Sequence, residues 1–165
     1  MNVEMRDVLG FFLKPPMCIV RKDRNPQSVP AQSTVSIELD TVVYDNDAMF
    51  GVDASRFTCK TPGYYMFTWQ FQLFAKSTPG TQARALFLQQ FNTSATVVDR
   101  LILTDHRVQL SNESYSGTAV LGLNASDYVV FYCFNFDSFE NQIVGYDPSQ
   151  SQYGCQVSAR WLSAL

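Results

Sequence analysis

Residues 64–75, YYMFTWQFQLFA, constrain the fold more than any other stretch of the chain. Tyr65, Phe67, Trp69, Phe71, Leu73 and Ala75 alternate with Tyr64, Met66, Thr68, Gln70, Gln72 and Phe74. A period of 2 belongs to a β-strand and sends the two rows to opposite faces. The first row is unbroken apolar surface and fills a core. A second row in contact with water should be polar throughout. Tyr64, Met66 and Phe74 break that rule, so this face needs a cover, either a neighbouring copy of the chain or a loop of its own. The turn before the strand, KTPGY, places Gly63 after Pro62, which suits a glycine with positive φ.

The rest of the chain from Met17 onward reads as β-structure. Short apolar or alternating runs occur at 17–22, 34–45, 56–60, 82–91, 96–105, 114–123, 128–136 and 153–165, with turn-forming residues between them. In 34–45, Val35, Ile37 and Leu39 lie opposite Thr34, Ser36 and Glu38, the mark of one continuous strand. In 128–136, Tyr128, Val130, Tyr132 and Phe134 alternate with Val129, Phe131 and Cys133, again with apolar area on both faces. The segments 23–33, 46–55 and 137–152 read as loops or irregular edge, and 77–81 and 124–127 as turns. Nine or ten short strands with no long helix imply a sandwich, jelly roll or barrel in one domain. The 165 residues suffice for one substantial core.

Residues 1–16 differ. Met5, Val8, Leu9, Phe12 and Leu13 fall at the spacing of one helical stripe. Gly10 weakens that helix, and Pro15-Pro16 ends it. The segment is a short helix or an extended arm, and in either form its apolar residues need a partner.

With the strands placed, the spacing of eight residues becomes specific. Leu39 is followed by Asp45 after five intervening residues, then Phe50 after four, Phe57 after six and Gly63 after five; Tyr65, Phe67 and Trp69 then alternate. This pattern resembles the signature of the globular head of complement component 1q, in the tumour-necrosis-factor-like superfamily. Leu39 and Trp69 depart from it, both keeping a large apolar group. LNASDYVVF and SQYGCQV near the end also resemble the family, with Ser126, Tyr153 and Cys155 departing. The likeness covers residues 17–165. It implies an all-β, ten-stranded, two-sheet jelly roll that associates as a homotrimer, with Tyr64, Met66 and Phe74 facing neighbouring protomers and Leu39, Asp45, Phe50, Phe57, Gly63, Tyr65, Phe67 and Trp69 as core signature. Within that signature Asp45 is read as a turn cap. The resemblance further implies that Cys59 lies near Cys133, and Cys18 near Cys155, on paired strands.

Catalysis finds little support. The one histidine, His106, has Asp105 and Arg107 as sequence neighbours, and adjacent strand residues point to opposite faces. No P-loop, G-x-S-x-G or HExxH is present. The resemblance allows Ca²⁺ at Asp45, Asp47, Asp53, Asp137, Glu140 and Asp147, but they lack the alternation of an EF-hand; turn formation is the role assigned to them, and no metal or cofactor is expected. The cysteines contain no CxxC, which argues against zinc. Net charge is −3 with no basic run, so nucleic acid is not an expected partner. No apolar segment reaches membrane-spanning length.

The first residues mix acidic and basic side chains ahead of a short, interrupted apolar part, unlike a secretion signal. A cytoplasmic site of folding, with all four thiols free, is the expectation. Residues 27–50, leading into 56–65, are also similar in style to complement-1q-like modules of bacteriophage structural proteins, and together these give the functional expectation. The chain is a non-enzymatic virion protein, a capsid decoration or cement protein or a short head fibre, assembled in the host cytoplasm. It is held to a capsid or other virion protein by the arm at 1–16. The alternatives are a tail receptor-binding tip recognising a host surface glycan, and a soluble lectin-like or cytokine-like binding module.

Overall fold

The computed structural model describes residues 14–23, 25–52, 55–75, 82–108, 112–136, 138, 140–145 and 154–165. The stripe Met5, Val8, Leu9, Phe12 and Leu13 lies outside them. Among the described residues there are thirteen strands: β1 (Met17–Arg21), β2 (Gln27–Val29), β3 (Thr34–Ser36), β4 (Thr41–Asp45), β5 (Phe50–Gly51), β6 (Arg56–Thr58), β7 (Gly63–Ala75), β8 (Gln82–Phe91), β9 (Val97–Val108), β10 (Asn112–Leu123), β11 (Tyr128–Asn135), β12 (Asn141–Ile143) and β13 (Gln156–Ser163). They form one seven-stranded and one six-stranded sheet, every pairing antiparallel.

In the seven-stranded sheet β7 is the spine. β10 pairs with it from Asn112↔Phe74 to Leu123↔Gly63, while β13 and β12 share its other flank end to end. β1 continues beyond β13, and β4 beyond β1. In the six-stranded sheet β11 is flanked by β8 on one side and by β6 and β3 on the other, with β9 outside β8 and β5 outside β6. Two curled antiparallel sheets of this order are the jelly roll.

The strands that exceed the expected ten are short. β2, β5 and β12, of two or three residues, lie in stretches read from the sequence as loop or irregular edge. The run 34–45 is not one strand. β3 pairs with β11 in one sheet and β4 with β1 in the other, so the chain crosses between sheets at 37–40. Ile37 and Leu39 stay fully buried during the crossing. Both sheets face the same core, so alternation survives the change of sheet and hides it from a pattern-based reading.

The core is aromatic. Phe57 meets Phe50, Phe67 and Phe131 at ring centroid distances of 5.0, 5.6 and 6.2 Å, near edge-on. Phe71 meets Phe131 at 5.4 Å. Such pairs add about 0.5–1.5 kcal/mol each beyond the burial of their area. Tyr65, Phe67, Phe71 and Leu73 are fully buried and Trp69 nearly so. Two polar links also cross the sandwich. Gln90 Nε2 on β8 donates to Gly122 O on β10 at 3.0 Å. Asn135 on β11, wholly buried, donates from Nδ2 to Val29 O and Pro30 O at 3.1 Å, and its Oδ1 accepts from Asn141 Nδ2 on β12 at 2.6 Å.

Gly63 has a different role from the one its turn suggested: no glycine among the described residues has positive φ. A Cβ at Gly63 would overlap the Trp161 indole nitrogen and lie 2.5 Å from Ser163 O. The indole packs on the bare backbone and donates from Nε1 to Pro62 O at 3.3 Å. The position is glycine because another strand lies on it, a close approach that local sequence does not announce. Asp45 organises the turn after β4. Its Oδ1 accepts from Asp47 N at 3.2 Å and Met49 N at 3.0 Å, and its Oδ2 from Phe50 N at 2.9 Å.

All four cysteines are free and buried, and the expected neighbours are not neighbours. Cys18 stands opposite Ala159, whereas the Cys155 carbonyl accepts from Lys22 N, four residues along. Cys59 N donates to Asp127 O, six residues from Cys133 on β11. At about 3.3 Å per residue along a strand, neither pair is within bridging range. Burial pushes the Cys155 thiol up to about 12, and it raises Cys59 and Cys18 too, the latter with help from the Asp45 charge. A thiol is nucleophilic as thiolate. We therefore predict no reaction of these three with an aromatic disulfide reagent at pH 8 while the protein is folded, and complete reaction in denaturant. A fast-reacting Cys18, Cys59 or Cys155 in the folded state would refute this.

Candidate binding surfaces

The outer face of the seven-stranded sheet carries the even-numbered row of β7. Tyr64 is 44% exposed, Phe74 39%, and Met66 is half-buried. Met66 lies between Val120 on β10, itself 54% exposed, and Arg160 on β13. Tyr64 lies over Gly122, where a Cβ would come 3.4 Å from its ring, and Leu162 and Leu165 add exposed apolar area at the end of the chain. Thr68 and Thr118 share a hydroxyl hydrogen bond of 3.3 Å on the same face. Within one protomer, this apolar row has no cover among the described residues.

The signature residues lie elsewhere. Leu39, Phe57, Tyr65, Phe67 and Trp69 are buried between the sheets, Phe50 packs against that cluster, Asp45 holds the turn after β4, and Gly63 opens β7 under the Trp161 indole. Tyr65 donates its hydroxyl to Thr61 O at 2.6 Å. Burial, followed by the nearby Cys59, raises its pKa, so it is a structural phenol.

A second surface went unnoticed in the sequence. On the outer face of the six-stranded sheet, register aligns Arg56, Val130, Gln89 and Arg100 in one line across β6, β11, β8 and β9. A stacked aromatic pair flanks the line on each side. Phe91 and Tyr128 lie at 4.8 Å with 8° between planes, and Phe87 and Tyr132 at 5.2 Å with 14°. The guanidinium of Arg56 sits 4.9 Å over Tyr128 and that of Arg100 5.0 Å over Phe87. With its amide oxygen turned to Arg100, Gln89 accepts from Nη2 at 2.7 Å and Nε at 3.0 Å. Beyond Phe87, Phe134 and Phe136 meet edge-on at 4.2 Å. The signal available was the alternation of Phe87, Gln89 and Phe91 and of Tyr128, Val130 and Tyr132. Which of them face each other depends on a pairing between residues about forty apart.

No cluster of three His, Cys, Asp or Glu among the described residues could hold a metal ion. The Asp45 carboxylate is occupied by three backbone N–H groups, and Asp47 Oδ2 accepts from Thr61 Oγ1 at 3.4 Å. The side chain of His106 lies outside the described residues, as do Asp53, Asp137 and Asp147. Among the described residues no helix is long and apolar enough to cross a membrane.

Comparison with known proteins gives three findings. The family model of the C1q domain matches residues 21–152. No curated protein sequence matches the chain. Among solved structures, the globular domain of zebrafish complement 1qA protein is similar with a TM-score of 0.57 at 19% identity, covering 91% of this chain and 98% of that one. Murine APRIL at pH 8.5 gives 0.58 at 10% identity over 88% and 99%. Eiger TNF from S. frugiperda gives 0.59 at 12% over 91% and 95%. At these identities the likeness to solved structures is one of fold.

Proposed function

Because the chain belongs to the C1q domain family, whose members are typically non-enzymatic binding modules, we propose that it acts as a homotrimeric structural protein of a bacteriophage particle, a capsid decoration or cement protein or a short head fibre. The observation that carries the assembly is the uncovered apolar row Tyr64, Met66, Phe74 with Val120 beside it. Large side chains of this kind contribute roughly 1.5–3 kcal/mol each on full burial, before ordering costs. Trimeric association is a property of the C1q and tumour-necrosis-factor-like proteins and supports this reading.

The virion setting rests on the apolar stripe in residues 1–16 and on how the chain enters the jelly roll. Pro16 O accepts from Trp161 N at 2.9 Å, Pro15 O from Asn46 Nδ2 at 3.1 Å, and Met17 N donates to Asn46 Oδ1 at 2.7 Å. The chain is therefore pinned to the jelly roll at Pro15 and Pro16. Deleting residues 1–13 spares every one of these bonds. The expected product is a folded trimer that no longer co-sediments with the particle. A truncated chain that fails to fold would assign the segment to the core. One that folds and still binds would move attachment to the loops and remove the arm's role.

A second reading, a receptor-binding tip or lectin-like module, is favoured by the aromatic and arginine line on the six-stranded sheet. The two readings use different sheets and are compatible in one trimer.

A further inference from the structure

We propose that the outer face of the six-stranded sheet holds a site for a carboxylated sugar, with the carboxylate on Arg100 and the ring against Phe87, Phe134 and Phe136. This deepens the binding-module reading and depends on neither the trimer nor the virion. A cavity of about 380 Å³ opens beside Arg100, lined by those three rings together with Thr34, Ala85 and Gln89. Its size lies in the range of small-molecule sites, roughly 300–1,000 Å³, and apolar walls with few polar groups are their usual make-up.

The charge decides the occupant. Arg100 is fixed from below by Phe87 and from the side by Gln89, which is only 6% exposed. Both partners are neutral, and no carboxylate of a described residue pairs with this guanidinium. Gln89 engages Nε and one Nη2 proton, which leaves the Nη1 edge of the fork for another acceptor. A planar carboxylate matches such a fork with two parallel charge-assisted hydrogen bonds. The ring faces carry negative quadrupole charge and attract the partly positive C–H face of a pyranose. Thr34, which lines the cavity, carries a hydroxyl that is a further partner for a ring hydroxyl. A neutral sugar leaves the arginine without an anion, and a small flat acid leaves most of the cavity empty.

Uronic acids and sialic acids are two widespread sources of a sugar carboxylate, and the test separates them. Saturation-transfer NMR on the full chain would use glucuronate, N-acetylneuraminate, glucose and benzoate as ligands. At least one of the two acidic sugars is expected to show transfer, with glucose and benzoate showing none, and the responding sugar identifies the source. Arg100→Lys keeps the charge but loses the fork, and should weaken binding roughly tenfold or more. Arg100 is exposed, so folding is not at stake. Tyr64→Asp, on the other sheet, should leave binding of the free sugar unchanged, so a failed trimer and a failed site are told apart. Absence of transfer to both acidic sugars, equal transfer to glucose or benzoate, or wild-type binding by Arg100→Lys would each overturn the site.

Discussion

Gly63→Ala is expected to destabilise the protein by about 3 kcal/mol or more, at the upper end of overpacking effects. The added methyl has no free volume to enter, because Trp161 and the Ser163 carbonyl already occupy it. Either the indole leaves, losing its bond to Pro62 O and its place over β7, or β13 moves off the spine of its sheet. For a domain of this size that cost lowers the melting temperature by roughly 6–12 °C. The cause is testable separately from the loss. If the clash with Trp161 is responsible, adding Gly63→Ala to a Trp161→Ala background should cost much less than it does in the wild type, a coupling on the order of 1–3 kcal/mol. Full additivity in thermal or denaturant unfolding would show that the explanation is wrong.

Tyr64→Asp should convert the proposed trimer to monomers at micromolar concentration. Buried aromatic anchors at interfaces lose roughly 2–4 kcal/mol on truncation, and a carboxylate adds the cost of burying an unpaired charge. Three symmetry-related interfaces each take the loss. The row is on the outer face, so the protomer core is untouched and the circular dichroism of surviving protomers should be that of folded β-structure. Val98→Asp, at an exposed position on the other sheet, is the control that should remain trimeric. Multi-angle light scattering reads both. A wild-type chain that is monomeric in solution and on the particle, or a Tyr64→Asp trimer of unchanged stability, would remove the assembly role from this face.

Much of the fold was legible because its decisive features are local. The alternation of 64–75 and the spacing from Leu39 to Trp69 sit within one stretch, and both follow from the period of a strand. What escaped was set by residues far apart. The sheet change at 37–40 left no trace, since Val35, Ile37 and Leu39 serve the same core on either side of it. β2 and β12 are three residues each, paired with one another and, through β12, with β7, and Asn135 and Asn141 add side-chain links to β11. Gly63 looked like a turn glycine because Pro62 precedes it, whereas its reason lies about a hundred residues on, at Trp161. The sugar-site candidate has the same origin: Phe87, Gln89 and Arg100 are ordinary strand residues until register brings them onto one surface. The cysteine neighbours were misplaced for lack of that register too.

The position of β13 also has a consequence for synthesis. This strand is made after every other described strand, yet it sits inside its sheet, between β7 and β1. Until it is translated, β7 can hydrogen-bond β10 on one flank but has most of its other flank open, and β1 has no route into the sheet. The jelly roll therefore cannot close from its N-terminal end as the chain grows. Until β13 is made the row Tyr65, Phe67, Trp69 and Phe71 belongs to an incomplete sheet, so closure of the jelly roll waits for synthesis of all its other described strands, and any assembly through the outer face of that sheet comes later still.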